Sequence, residues 1–183
     1  MTVALVTPPA LEPITLAQAK RHLRIEEPDE DVHLADLLAA CRAHVEEASG
    51  RKLITQVWRR YAMPRRNAPI PLLVGPVQRV DAVTLYDADG VASALDPPHW
   101  RLGNEALLLD GLHARRAANG VEVDVVCGYG DTADDVPATL RQAILLLLAQ
   151  SYEFRGAVGP DDQPISVPPN FERLIAPHRR RSL

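Results

Sequence analysis

The chain has 183 residues, of which 46% are hydrophobic and 24% charged, and its formal net charge is −4. These values are typical of a globular protein of one domain, with room for an additional arm. Only two cysteines occur, Cys41 and Cys127, and their wide separation excludes a disulfide scaffold and a cysteine-rich zinc module. We expect no signal peptide and no membrane-spanning run. The sequence therefore predicts a soluble protein of a reducing compartment.

Charge is strongly segregated along the chain. Residues 1–50 carry nine acidic and four basic side chains, whereas residues 51–66 carry six basic and no acidic ones. The clustered acids are Glu26, Glu27, Asp29, Glu30, Asp31 and Asp36, and the six bases are Arg51, Lys52, Arg59, Arg60, Arg65 and Arg66. Such opposite charges are suited to meet between neighbouring copies of the protein. Solvated surface charge with no partner is the simpler alternative.

The first part of the chain is predicted to be helical over residues 14–50. An extended leader with three prolines precedes Thr15 and Gln18, whose spacing is that of a capping box, so a short helix should run to about Arg24. A second helix should begin in the acidic run, with Pro28 in its first turn and an apolar stripe at intervals of three, four and seven residues. Gly50 is suited to end it.

Residues 53–128 are predicted to be rich in β-structure. Alternating patterns indicate strands over 53–61, 77–86 and 121–125, with weaker strands near 100–102 and 106–109 and a turn at 87–90. A last long helix should cover 136–155, where the apolar centre at 143–149 predicts burial on most sides. The predicted class is α+β, with a helical core of three helices, a central β-rich part, one domain over 1–155 and an extended loop and arm over 156–183.

Local patterns that suggest chemistry have simpler explanations. The segment GYGDTA at 128–133 fits a dinucleotide-binding loop, but its helix starts too late, and Asp131, Asp134 and Asp135 would repel a pyrophosphate. His33 and His44 would lie about 16 Å apart on one helix, too far for one ion. The sequence therefore predicts no catalytic, cofactor or metal site.

Eight segments, taken in order, carry a family resemblance. They are ITLAQAKRHLR (14–24), VEEASGRKLITQ (45–56), GPV (75–77), YDADG (86–90), CGYG (127–130), VPATLRQAI (136–144), YEFR (152–155) and LIAPHR (174–179). Together they resemble the head-to-tail connector (adaptor) proteins of long-tailed phages, prophages and gene transfer agents. The resemblance spans nearly the whole chain, with the weakest match over about 91–120.

The resemblance implies a ring without enzymatic activity, dodecameric in the particle and assembled in the bacterial cytoplasm. The ring would sit beneath the portal at the head–tail junction, receive the stopper or tail-completion protein, and let double-stranded DNA pass through its lumen during ejection. It implies portal contact by the C-terminal arm, for which we select Leu174, Ile175, Pro177, His178, Arg179, Arg180 and Arg181. For the subunit interface or channel we select Glu26, Glu27, Asp29, Glu30, Asp31, Asp36, Arg51, Lys52, Arg59 and Arg60.

Two other functions stay open at this stage. A nucleic-acid-binding module would use the basic residues at 51–66 and 179–181, although the mild overall charge argues against it. A small hydrolase or nucleotide-binding enzyme would use the glycine-containing segment at 128–133.

Overall fold

The computed structural model describes residues 2–65, 68–154 and 168–180, and the chain divides into two compact units. Unit 1 comprises Met1–Ala10 and Thr55–Tyr129, and unit 2 comprises Leu11–Ile54 and Gly130–Leu183. Helices and strands are both present, which confirms the predicted α+β class. In the described part of the chain, none of the helices combines the length and the apolar character that crossing a membrane requires.

The elements follow one another as short, well-delimited segments. The helices are α1 (Leu16–Leu23), α2 (Asp31–Ser49), α3 (Gly111–Arg116), α4 (Ala138–Glu153) and α5 (Phe171–Ile175). The strands are β1 (Thr2–Thr7), β2 (Gln56–Ala62), β3 (Ile70–Pro71), β4 (Val77–Tyr86), β5 (Ala92–Ala94), β6 (Trp100–Gly103), β7 (Ala106–Leu109) and β8 (Val121–Cys127). Among the described residues, these eight strands and α3 lie in unit 1, and α1, α2, α4 and α5 lie in unit 2.

Unit 1 is built from two antiparallel sheets. One has the strand order β1-β2-β8-β4-β5 and the other the order β3-β7-β6. The predicted alternation in β8 is confirmed, because Val121, Val123 and Val125 are buried while the acidic residues between them are half-buried. The buried face joins one apolar cluster with residues of β4 and β7. Hydrophobic burial between the sheets therefore holds unit 1 together.

Two parts of unit 1 differ from the sequence-based expectation. Residues 2–7 were expected within an extended leader, and they form an edge strand paired with β2. This short run has no proline before Pro8, so its backbone N–H groups are free to join a sheet. The helix α3 was not predicted; it begins where the Asp110 carboxylate accepts a hydrogen bond from the backbone N–H of His113 at 2.8 Å.

Unit 2 is a helical unit in which α4 packs against α1, α2 and α5. The predicted capping box is confirmed, because the Gln18 N–H donates to Thr15 Oγ1 and the Thr15 N–H donates to Gln18 Oε1. Gly50, with φ of +68°, ends α2 as expected. The placement of Pro28 in the first turn of α2 is wrong, because residues 28–31 form a separate turn closed by the Asp31 N–H and the Pro28 carbonyl.

Candidate functional surfaces

The acidic residues lie on unit 2, at the link between α1 and α2 and on α2 itself. Four of them are exposed and are defined here as the acidic surface: Glu26, Glu27, Asp29 and Asp36. The other two are half-buried and have internal partners. Asp31 pairs with Lys20 at 2.6 Å, and Glu30 accepts a hydrogen bond from the Tyr152 hydroxyl. Of the six predicted acids, four are thus available to a partner or to solvent.

The bases at the end of α2 are engaged within unit 2. Lys52 pairs at 3.4 Å with Glu46, a carboxylate that is only 3% exposed and also accepts a hydrogen bond from the Leu53 N–H. Arg51 Nε donates to the carbonyl of His178 at 3.0 Å. These side chains therefore stabilise the turn after α2 rather than presenting free positive charge.

The bases on β2 are also internal, here to unit 1. Arg59 makes a bidentate ion pair with Asp124 on β8, with distances of 2.7 and 2.8 Å, and this pairing raises the pKa of Arg59. Arg60 is 1% exposed, and its guanidinium donates to the backbone carbonyls of Thr2, Tyr61 and Pro71. The selection of Arg60 for the subunit interface or channel stays a prediction, which the enclosure of its side chain does not favour.

The same contacts weaken the nucleic-acid-binding alternative. A basic surface for DNA needs cations that are free to neutralise phosphates. Arg51, Lys52, Arg59 and Arg60 all have partners within the chain. Arg65 is exposed, and Arg66 lies outside the described residues.

The C-terminal segment, residues 168–180, caps the end of α2. The Arg180 N–H donates to the Ser49 carbonyl at 2.9 Å, and Arg179 Nε donates to the Ala48 carbonyl at 3.4 Å. The last carbonyls of a helix have no partner inside the helix, and the helix dipole favours positive charge beside them. Two arginines that the sequence indicated for an intermolecular contact thus also stabilise their own unit.

The expectation of an extended arm is wrong for this segment. Residues 171–175 form the short helix α5, and residues 176–178 add one 3₁₀ turn. Phe171 and Ile175 lie one helical turn apart and are 1% and 0% exposed, so apolar burial fixes the helix in unit 2. Ile175 is therefore enclosed within unit 2. Pro177 and Arg179 are exposed, Leu174, His178 and Arg180 are half-buried, and Arg181 lies outside the described residues.

The glycine-containing segment at 128–133 does not have a phosphate-binding geometry. The Asp135 carboxylate accepts hydrogen bonds from the Thr132 N–H at 2.9 Å and from its hydroxyl at 2.8 Å, which lower the pKa of Asp135. A Cβ atom at Gly130 would overlap the Asp135 side chain. A carboxylate of the chain therefore occupies the N–H group that a bound anion would need, which argues against a nucleotide-binding loop.

One cluster in unit 1 was missed at the sequence level. His99, Asp110 and His113 bring their ligand-type atoms within 4.8 Å of one another. The antiparallel pair Trp100–Leu109 places His99 beside Asp110, and the start of α3 adds His113 three residues on. The spacing of Asp110 and His113 is visible in the sequence, but the position of His99 depends on a hairpin in the region of weakest resemblance.

Comparisons with known proteins give a consistent class. Residues 13–90 match the family model of the phage gp6-like head-tail connector protein. The chain is also similar to a protein in the solved virion of a native gene transfer agent particle, with 28% identity, a TM-score of 0.80, and coverage of 100% of this chain and 97% of that one. No curated protein matches the chain.

Two structures of isolated necks extend this similarity. One is the neck of an empty gene transfer agent particle computed with C6 symmetry, at 27% identity and a TM-score of 0.76. The other is the neck of a native particle computed with C12 symmetry, at 26% identity and a TM-score of 0.78. Each match covers 100% of this chain and 97% of the other. The matches define a class of particle neck proteins, and the predicted resemblance to the head-to-tail connector (adaptor) proteins is confirmed.

Proposed function

We propose that this protein is a head-to-tail connector of a phage-like or gene-transfer-agent-like particle. In this proposal, twelve copies form a ring in the neck beneath the portal, join the DNA-filled capsid to the stopper or tail, and surround the DNA channel. The observation that carries the proposal is similarity over 100% of this chain and 97% of a protein in the solved virion. The neck structures with C6 and C12 symmetry support the ring and its subunit number.

The acidic surface suits a channel that DNA must pass without being held. Exposed carboxylates repel phosphates over about one Debye length, roughly 8 Å at physiological salt. Glu26, Glu27, Asp29 and Asp36 are exposed on unit 2, so their charge is available to act on DNA. We therefore assign these four residues to the channel or its rim. The sequence also suggested that basic residues of one subunit contact acidic residues of its neighbour. That contact has little support, because Arg60 is enclosed and Arg59 is paired with Asp124.

The C-terminal segment suits portal docking as a fixed projection rather than as a loose arm. Phe171 and Ile175 anchor it, while Pro177 and Arg179 are exposed on it. Arg179 pairs at 2.6 Å with Glu172, whose side chain is 53% exposed. Exposed ion pairs contribute little free energy, so Arg179 can leave Glu172 for a carboxylate of the portal at little cost. Twelve weak contacts of this type on one ring would add by avidity.

Electron microscopy of the purified chain with the portal protein of the same particle tests the proposal. We expect a ring with portal symmetry on the portal. The double variant Pro177→Ala, Arg179→Ser should weaken its docking, whereas Arg173→Ser, which alters another exposed arginine of the segment, should leave docking unchanged. A wild-type chain that never associates with the portal would overturn the function, and equal docking by all variants would overturn only the assignment of the segment.

A further inference from the structure

We propose that His99, Asp110 and His113 form a binding site for one divalent ion of the Zn²⁺ type. The site lies within unit 1, at the junction of the β6–β7 hairpin with α3. The proposal is independent of the connector function and stands on the geometry of these three side chains.

The ligand-type atoms of the three side chains lie within 4.8 Å of one another, and the two distances to Asp110 are close to those of a coordination sphere. His99 Nδ1 lies 3.3 Å from Asp110 Oδ2, and His113 Nδ1 lies 2.8 Å from the same oxygen. In a tetrahedral zinc site with bonds of 2.0–2.1 Å, neighbouring ligand atoms are about 3.3 Å apart. The His99–Asp110 pair already has this separation, and the His113–Asp110 pair needs to open by about 0.5 Å to admit the ion.

The donor set selects the kind of ion. Two imidazole nitrogens and one carboxylate oxygen favour Zn²⁺, Co²⁺ or Ni²⁺ over Mg²⁺ and Ca²⁺, which prefer oxygen ligands. The side chains of His99 and Asp110 are 42% and 40% exposed, so an ion can enter from solvent. Three protein ligands leave a fourth position for water.

The backbone holds the three ligands in place without an ion. The Asp110 N–H donates to the His99 carbonyl at 3.0 Å, which fixes the two residues across the hairpin. The other carboxylate oxygen, Asp110 Oδ1, accepts the His113 N–H at 2.8 Å as the cap of α3. Oδ1 can therefore keep the cap while Oδ2 takes the ion, so binding does not require the helix to unfold.

Competition of the EDTA-treated full-length chain with a chromophoric chelator for Zn²⁺ tests the site. We expect binding to saturate at one Zn²⁺ per chain, Co²⁺ to give the visible absorption of a nitrogen- and oxygen-ligated ion, and Mg²⁺ not to compete. Zinc should also slow amide hydrogen exchange over residues 97–116, since the ion joins the hairpin to α3.

Two variants separate metal binding from a purely hydrogen-bonded cluster. His99→Gln alters a half-exposed ligand, and Asp110→Asn keeps a good helix cap while removing the carboxylate charge. Each should weaken Zn²⁺ binding by more than about tenfold. Loss of a residue that only hydrogen-bonds to a metal ligand already costs about tenfold or more, and loss of a ligand should cost at least as much. His33→Gln, at an exposed histidine in unit 2, should bind as the wild type does. No saturable binding up to about 100 µM Zn²⁺, or unchanged affinity in His99→Gln, would overturn the proposal and leave a hydrogen-bonded cluster.

Discussion

At the scale of single residues, Arg60 determines how the basic stretch should be interpreted. A buried arginine needs acceptors for its N–H groups, and here the guanidinium donates to backbone carbonyls of unit 1. The residue therefore links β2 to Thr2 in β1 and to Pro71 in β3. Its charge contributes to the fold of unit 1 rather than to a surface.

Replacing Arg60 with leucine should lower the free energy of unfolding of unit 1 by about 2–4 kcal/mol. The substitution removes the hydrogen bonds from the guanidinium to the carbonyls of Thr2 and Pro71, and a hydrogen bond to a charged group contributes about 1.5–3 kcal/mol. Urea unfolding followed by tryptophan fluorescence measures the effect, because both tryptophans, Trp58 and Trp100, lie in unit 1. The exposed Arg65→Leu control should change stability by no more than about 0.5 kcal/mol. Equal stability of the two variants would contradict the internal role of Arg60.

At the scale of elements, local signals were enough to predict the start of α1, the end of α2 and the long strand β4. The capping box at Thr15, the stop at Gly50 and the strand β4 depend on residues within a few positions of one another. Long-range partners were not predictable in this way. Arg60 bonds to residue 2, and Arg180 caps a helix that ends 131 positions earlier, at Ser49. The spacing of residues along the chain carries no information about such contacts, and this explains the missed His99 cluster and the mistaken arm.

The docking of the C-terminal segment on unit 2 should depend on pH through His178. Its Nε2 lies 2.7 Å from Thr139 Oγ1, and burial together with the nearby Arg51 charge lowers the pKa of His178 from 6.5. The docked state thus favours the neutral ring. The stabilisation is fully present above about pH 6.5 and is lost as the pH falls through the lowered pKa, because the released segment binds the proton more readily.

Hydrogen exchange at the Arg180 amide and in α5, corrected for intrinsic rates, measures this effect at pH 7.5 and 5.5. We expect weaker protection at the lower pH in the wild type. His178→Gln keeps a polar partner for Thr139 but does not titrate, so the difference between the two pH values should shrink. The same pH response in both proteins would assign it to another group.

At the scale of the whole molecule, the placement of charge matters more than its total. The chain carries a net charge of −4, but several of its charged side chains form ion pairs within one unit. These pairs are Lys52 with Glu46, Lys20 with Asp31, and Arg59 with Asp124. The acidic surface stays exposed, as does Arg65 among the described bases of the expected charge pattern. A connector that DNA traverses would benefit from this arrangement, because repulsion without binding sites leaves the duplex free to slide.

Reversing three charges of the acidic surface tests that idea. The triple variant Glu26→Lys, Glu27→Lys, Asp29→Lys changes exposed side chains in the α1–α2 link and should leave the fold intact. Rings of this variant on the portal should gain affinity for linear duplex DNA. The logarithm of their binding constant for DNA should fall linearly with the logarithm of the salt concentration. Each new phosphate contact should steepen that slope by about 0.9.

A matched control distinguishes placement from net charge. Asp89→Lys, Asp96→Lys, Glu153→Lys changes the charge by the same amount at other exposed positions. If the acidic surface borders the channel, the first triple variant should bind DNA more tightly than the control and slow DNA release from assembled particles. Equal DNA affinity in the two variants would mean that net charge alone governs the interaction, and the assignment of these residues to the channel would fail.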